Sequence, residues 1–164
     1  MPAPIMNNDC LCPKRRQELH IETEYILFNI IMPFVRISLP KSLSIETKHA
    51  VYHAVHESLV TEFGIPQDDY FHVIEELEEH QLLFPNNYLG IEHAKDIVYV
   101  HITAGAGRTT DDKRRLYSQM ANRITTATSI RIEDVIIVLV ENNGKEDWSF
   151  GRGEIQVPPH LAGL

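Results

Sequence analysis

The feature that most constrains this chain is an internal repeat. At a constant offset of 65 residues, Ile37 matches Ile102, Ser44 matches Thr109 and Lys48 matches Lys113. At the same offset Leu59 matches Ile124, Ile65 matches Ile130 and Asp69 matches Asp134, and neither unit needs a gap. Each unit runs strand, helix, strand. In the first, "FVRISL" (34 to 39) alternates as a strand does. Ser44 is a natural N-cap with Glu46 in the first turn. Val51, Val55, Leu59 and Phe63 then recur at helical spacing, Gly64 suits the residue beyond the helix, and "YFHVIEEL" (70 to 77) is the second strand. In the second unit "DIVYVHIT" (96 to 103) is a strand, and Thr109 or Thr110 caps a helix with Leu116, Met120 and Ile124 on one face. "VIIVLV" (135 to 140) is apolar on both faces, as a central buried strand should be.

A helix linking two strands of one sheet makes them parallel, with a right-handed crossover. Units 33–77 and 98–140 therefore predict an α/β (α+β) fold: a four-stranded mixed sheet with two helices on one face. The bare face stays partly apolar and needs a cover, which self-association supplies most simply. The organisation expected is an N-terminal extension, 1–31, then one domain, 32–164, whose motif and tail fill 141–164.

Composition narrows the functional class. At 43% hydrophobic and 23% charged the chain is globular, and 164 residues bury a core without staples. Fifteen basic against 23 acidic residues, net −8, speak against nucleic acid. An anionic ligand must then be attracted by a local cation. Cys10 and Cys12 are too close for a disulfide framework and too few for a zinc site. His49, His53 and His56 are expected on a solvated helix face rather than as metal ligands; neither metal nor cofactor is called for. "YILFNII" (25 to 31) is too short to span a bilayer and no secretory signal is visible, so the expected compartment is the cytoplasm.

Three further stretches carry chemistry: Met32–Pro33 opening the first strand, "FGIPQDD" (63 to 69) and "DVIIVLVENNGKEDWSFGRG" (134 to 153). Over about residues 33 to 153 the chain resembles the tautomerase superfamily, most closely its malonate semialdehyde decarboxylase group. That resemblance implies a homotrimer and an amino-terminal proline, Pro33, as catalyst. A prolyl amine can be neutral or charged near neutral pH, since α-amino groups titrate around pH 8. The resemblance puts Asp69 on the substrate or on water. It makes Trp148 and Phe150 the apolar wall of the pocket. Arg108, in "TAGAGRTT", can hold a substrate carboxylate through two parallel hydrogen bonds. If the units are related by a pseudo-two-fold axis, the start of the first strand lies near the end of the third, and Pro33 meets Arg108. The decarboxylases are expected to carry two arginines one residue apart; here Ala106 takes the first place, weakening the grip on a carboxylate. Arg152 is a further cation of the motif with no role assigned.

The expected reaction is keto–enol tautomerisation of a small 2-oxo acid. The alternatives are a decarboxylase or hydratase of the malonate semialdehyde type, or a non-catalytic trimer. Within a continuous chain Pro33 is a tertiary amide with no basic lone pair. Catalysis therefore expects translation to begin at Met32, with the methionine trimmed; retained residues 1–31 would leave the non-catalytic relative.

Overall fold

The computed structural model describes residues 33–142 and 145–156. The extension, Cys10, Cys12 and the last eight residues lie outside them. Strand β1 spans Phe34–Pro40, helix α1 Ile45–Phe63 and strand β2 Phe71–Leu77. A connection carrying a small hairpin, β3 (Asn87–Tyr88) and β4 (Ile91–Glu92), leads to β5 (Val98–Gly105), helix α2 (Thr110–Ala127) and β6 (Val135–Asn142). Both helix starts are capped as the spacing predicts: the Ser44 hydroxyl accepts from the Thr47 amide and the Thr109 hydroxyl from the Asp112 amide. Gly64 adopts the left-handed conformation, φ 67°, and its amide closes on the Val60 carbonyl; a glycine takes that conformation without the steric cost other residues meet.

The main sheet has the order β2-β1-β5-β6. β1 pairs parallel with β2 and β5 with β6, while β1 and β5 pair antiparallel at the centre. The repeat is thus a pseudo-two-fold in space. Val35, Ile37 and Leu39 of β1 and Val98, Val100, Ile102 and Ala104 of β5 point to the helix side. There they pack with Val51, Val55, Leu59, Leu116, Met120 and Ile124 into one core. The symmetry extends to charge: Lys48 pairs with Glu76 at 2.8 Å and Lys113 with Glu141 at 2.6 Å, equivalent pairs at the 65-residue offset.

Three expectations need correction. β5 lies two residues later than "DIVYVHIT", at 98–105. β6 is an edge strand, not a central one. Its second apolar face lies on the side of the sheet without helices, where Phe71, Val73, Val138 and Val140 remain 38–47% exposed. Its double-sided hydrophobicity therefore reflects a face left bare by the single chain. Finally, His56 is buried, while His49 and His53 are exposed; the side chains of Tyr52, Tyr70 and His72 close over it. Among the described residues, no helix is long and apolar enough to cross a membrane.

Candidate active site

The antiparallel centre of the sheet decides what meets at its ends. Phe34 lies opposite both Phe71 and Thr103. Pro33, one residue earlier, is buried at the mouth of β1. Asp69, two residues before β2, is also buried, and its amide donates to the Pro66 carbonyl at 3.1 Å. β5 ends at Gly105 at this same edge, and Arg108 follows in the turn before α2. Register alone therefore gathers Pro33, Asp69 and Arg108 at one end of the sheet.

Arg108 is held from two sides. Its Nη1 donates to the Gly105 carbonyl at 2.6 Å, and its guanidinium carbon lies 4.1 Å from the centre of the Phe63 ring. Phe63 closes α1 immediately before the loop that carries Asp69, so the cation rests on the element that positions the acid. Burial pulls the Arg108 pKa down to about 10, against the upward pull of Glu141 and Asp112. It remains a cation at neutral pH, poor in water, where attraction for an anion is strong.

Trp148 and Phe150 reach the same end. β6 lies at one edge of the sheet, yet Phe150 sits 5.3 Å from Phe71, on β2 at the opposite edge. The chain after β6 therefore crosses the sheet end that holds Pro33 and Arg108. Trp148 stacks on Phe150 at 5.5 Å with nearly parallel rings. The result is an aromatic cluster of Trp148, Phe150 and Phe71 at the same end of the sheet as the buried cation, the buried acid and the proline. Such a site suits a small carboxylate whose reacting carbon must be kept from water. Phe63, Phe71 and Glu141 were not among the expected site residues. Of these, Glu141 was accessible through the repeat, since it is the equivalent of Glu76.

A cavity of about 470 Å³ occupies the other end of the sheet, lined in part by Pro40, Leu77, Glu78, Glu79, Lys95 and Asp96. None of the expected residues lines it. Its three carboxylates against one lysine make it a poor host for an anion.

Comparison with known proteins agrees with this fold. Two family models, both described as "Tautomerase enzyme", match residues 69–151 and 33–90. The probable tautomerase YusQ of Bacillus subtilis (strain 168) is 38% identical over 126 residues, 77% of this chain and 98% of the relative. The crystal structure of FG41 malonate semialdehyde decarboxylase inhibited by 3-bromopropiolate has a TM-score of 0.69 and 30% identity, covering 75% of this chain and 92% of that one. A fused 4-OT solved as a symmetric trimer shares the fold at a TM-score of 0.62 and 19% identity, over 80% of this chain and 99% of that one.

Proposed function

Because the chain belongs to the tautomerase superfamily, we propose that it catalyses keto–enol tautomerisation of a small 2-oxo acid, with the amine of Pro33 as the base. The neutral amine takes the proton from the enol hydroxyl and returns it to the neighbouring carbon, so the substrate is isomerised with no net change of atoms. Arg108 holds the substrate carboxylate, Asp69 orients the substrate or a water, and Trp148, Phe150 and Phe71 exclude solvent. The observation that carries this reading is the gathering of Pro33, Asp69 and Arg108 at one sheet end, the end that also holds the aromatic cluster. It draws support from a family match that begins at residue 33. A positioned base of this kind contributes about 10²–10⁴ in rate.

The chemistry requires Pro33 to be the first residue of the working enzyme. Mass spectrometry of the protein from its own cells is expected to find a chain starting at Pro33. In an enol-ketonisation assay read by ultraviolet absorbance, that form is active, Pro33→Ala is down by at least a hundredfold, and the full 164-residue chain is inactive. Equal turnover by the full chain, in which the nitrogen is an amide, would refute the role of Pro33. The pH–rate profile decides between tautomerase and decarboxylase: a base mechanism gains rate as the amine loses its proton, an acid mechanism loses it.

The same proposal includes a homotrimer. Phe71 and Val73 on β2 and Val138 and Val140 on β6 leave apolar surface at both edges of the helix-free face, and exposed apolar patches of this kind mark interaction sites. The fold neighbour solved as a symmetric trimer supports this assembly. Sedimentation equilibrium is expected to return three times the chain mass.

A further inference from the structure

His56 stands out because it is the one of the three helix histidines that is buried, at 5% exposure. Its Nε2 lies 2.9 Å from the Gln67 carbonyl oxygen. A carbonyl only accepts, so the ring carries its proton on Nε2 and donates it. Gln67 lies two residues before Asp69. The Tyr70 ring, one residue after Asp69, packs edge-on against the His56 ring at 5.6 Å. His56 thus grips the chain on both sides of the acid. A second tie from α1, the Gln67 side-chain amide on Glu57 at 2.9 Å, braces the same turn.

The repeat provides a comparison within the molecule. The position equivalent to His56 is Ala121, and the equivalent of Asp69 is Asp134. Asp134 is fastened directly. Its carboxylate accepts Arg131 Nε at 2.7 Å, Arg131 Nη2 at 3.1 Å and the Ala94 amide at 2.7 Å. In the first unit a histidine also fastens the loop backbone, on both sides of Asp69. We infer that His56 is a positioning residue for Asp69, holding loop 65–70 against α1 so that the carboxylate faces the site. The inference rests on the role of Asp69 proposed above.

His72, 5.5 Å from the His56 ring, has its pKa lowered to about 4 by burial and then by His56. Among the described residues, neither ring nitrogen of His72 nor Nδ1 of His56 has a hydrogen-bond partner. One ring N–H meets the need of one carbonyl, and the Tyr52 and Tyr70 rings pack against the imidazole.

Hydrogen–deuterium exchange on the full chain tests the clamp without reference to activity. In His56→Phe, which keeps an aromatic ring but no donor, the amides of 65 to 70 are expected to exchange about three to ten times faster, the equivalent of one lost neutral hydrogen bond. The amides of α1 should not change. His56→Gln, which can present a donor near the Nε2 position, recovers most of the loss. Unchanged loop exchange in His56→Phe, or equal acceleration everywhere, overturns the inference. A kinetic cycle on the active form adds the functional arm. His56→Phe is expected to lower kcat about three- to tenfold when Asp69 is present and less than twofold in an Asp69→Asn background. Equal losses in both backgrounds would remove His56 from any action through Asp69. Full activity in Asp69→Asn alone would instead defeat the proposed role of Asp69, while the exchange result still judges the clamp.

Discussion

The contact between Phe63 and Arg108 is the most direct place to test how this site holds an anion. Both residues are 6% exposed, and the guanidinium carbon lies 4.1 Å from the ring centre. A cation over an aromatic face is worth about 0.5–1 kcal/mol in water and about 2 kcal/mol or more when desolvated. This pair lies near the upper figure, because burial is what pulls the Arg108 pKa down to about 10. Phe63→Leu loses that attraction and about 1 kcal/mol more from the smaller side chain, so a total of about 2–3 kcal/mol is expected. For a chain of this length that corresponds to a fall in Tm of roughly 5–10 °C. Much of the loss is packing, so the single variant cannot isolate the stack. A double-mutant cycle can: Phe63→Leu, Arg108→Met and the pair, each measured by urea unfolding. Contacts that Arg108 makes elsewhere are lost in both arms carrying Arg108→Met and cancel. Protein concentration must be the same throughout, because association makes apparent stability concentration-dependent. The expected coupling is about 1–2 kcal/mol. A coupling below about 0.3 kcal/mol would show that the ring merely packs beneath the arginine. If the stack aims the cation, Phe63→Leu also raises KM for an oxo acid more than it lowers kcat, and Phe63→Tyr restores both.

Three further outcomes follow from the same geometry. The folded-state pKa of His72 is about 4, set first by burial and then by His56, against an ordinary 6.5. The unfolded chain therefore takes up a proton between pH 6.5 and 4 that the folded chain refuses, and stability falls across that window as pH drops. Discounted for partial exposure, the loss is about 2 kcal/mol; the difference in unfolding free energy between pH 7 and 4, measured with urea, should shrink by that amount in His72→Phe, and an undiminished difference would clear His72. Asp134→Ala abandons the Arg131 fork and the Ala94 amide and should cost about 2–4 kcal/mol. It should leave kcat/KM within twofold, and a large activity loss without destabilisation would reverse the assignment of the two aspartates. Val138→Arg places a charge in the exposed apolar edge formed by β6 and should shift sedimentation from the proposed trimer to monomer, with no shift expected if that face stays wet.

Much of this was legible because the repeat is gapless. One offset aligned caps, core positions and aspartates, and a two-fold of β-α-β units leaves few ways to arrange four strands. That Pro33 and Arg108 lie at the same end of the sheet followed from the antiparallel centre. Other features were not legible, for local reasons. His49, His53 and His56 share one helical spacing, and nothing in the spacing says that Tyr52, Tyr70 and His72 would cover only the last. Phe63 fell in step with Val55 and Leu59 and so looked like core alone, although its ring also carries the cation. The β3–β4 hairpin turns through Leu89 and Gly90 at φ 52° and 81°. Two left-handed residues are the pattern of a tight hairpin turn, but leucine stands where asparagine or aspartate would have announced it. β6 looked central because periodicity reports how many faces are apolar, not whether this chain or a second copy covers them.

The two ends of the sheet then show how one architecture supports both chemistry and structure. Each end presents a strand opening, an aspartate before the parallel partner strand and a turn into a helix. At one end these are Pro33, Asp69 and Arg108; at the other, by the same offset, Val98, Asp134 and Leu43. Val98 is fully buried, and Leu43 packs against the core. Asp134 lies 1% exposed, and although burial pushes its pKa upward, the hydrogen bonds from Arg131 and the Ala94 amide outweigh that and leave it below the ordinary aspartate value. Every position at that end is satisfied by apolar burial or by a fixed ionic partner. The Pro33 end instead gathers a stacked cation, a buried acid on a main-chain clamp and an aromatic cluster brought in by the chain after β6. Backbone topology cannot account for the contrast, since the two ends share it. It lies in a few side chains, and those are the ones whose replacement should change turnover without unmaking the fold.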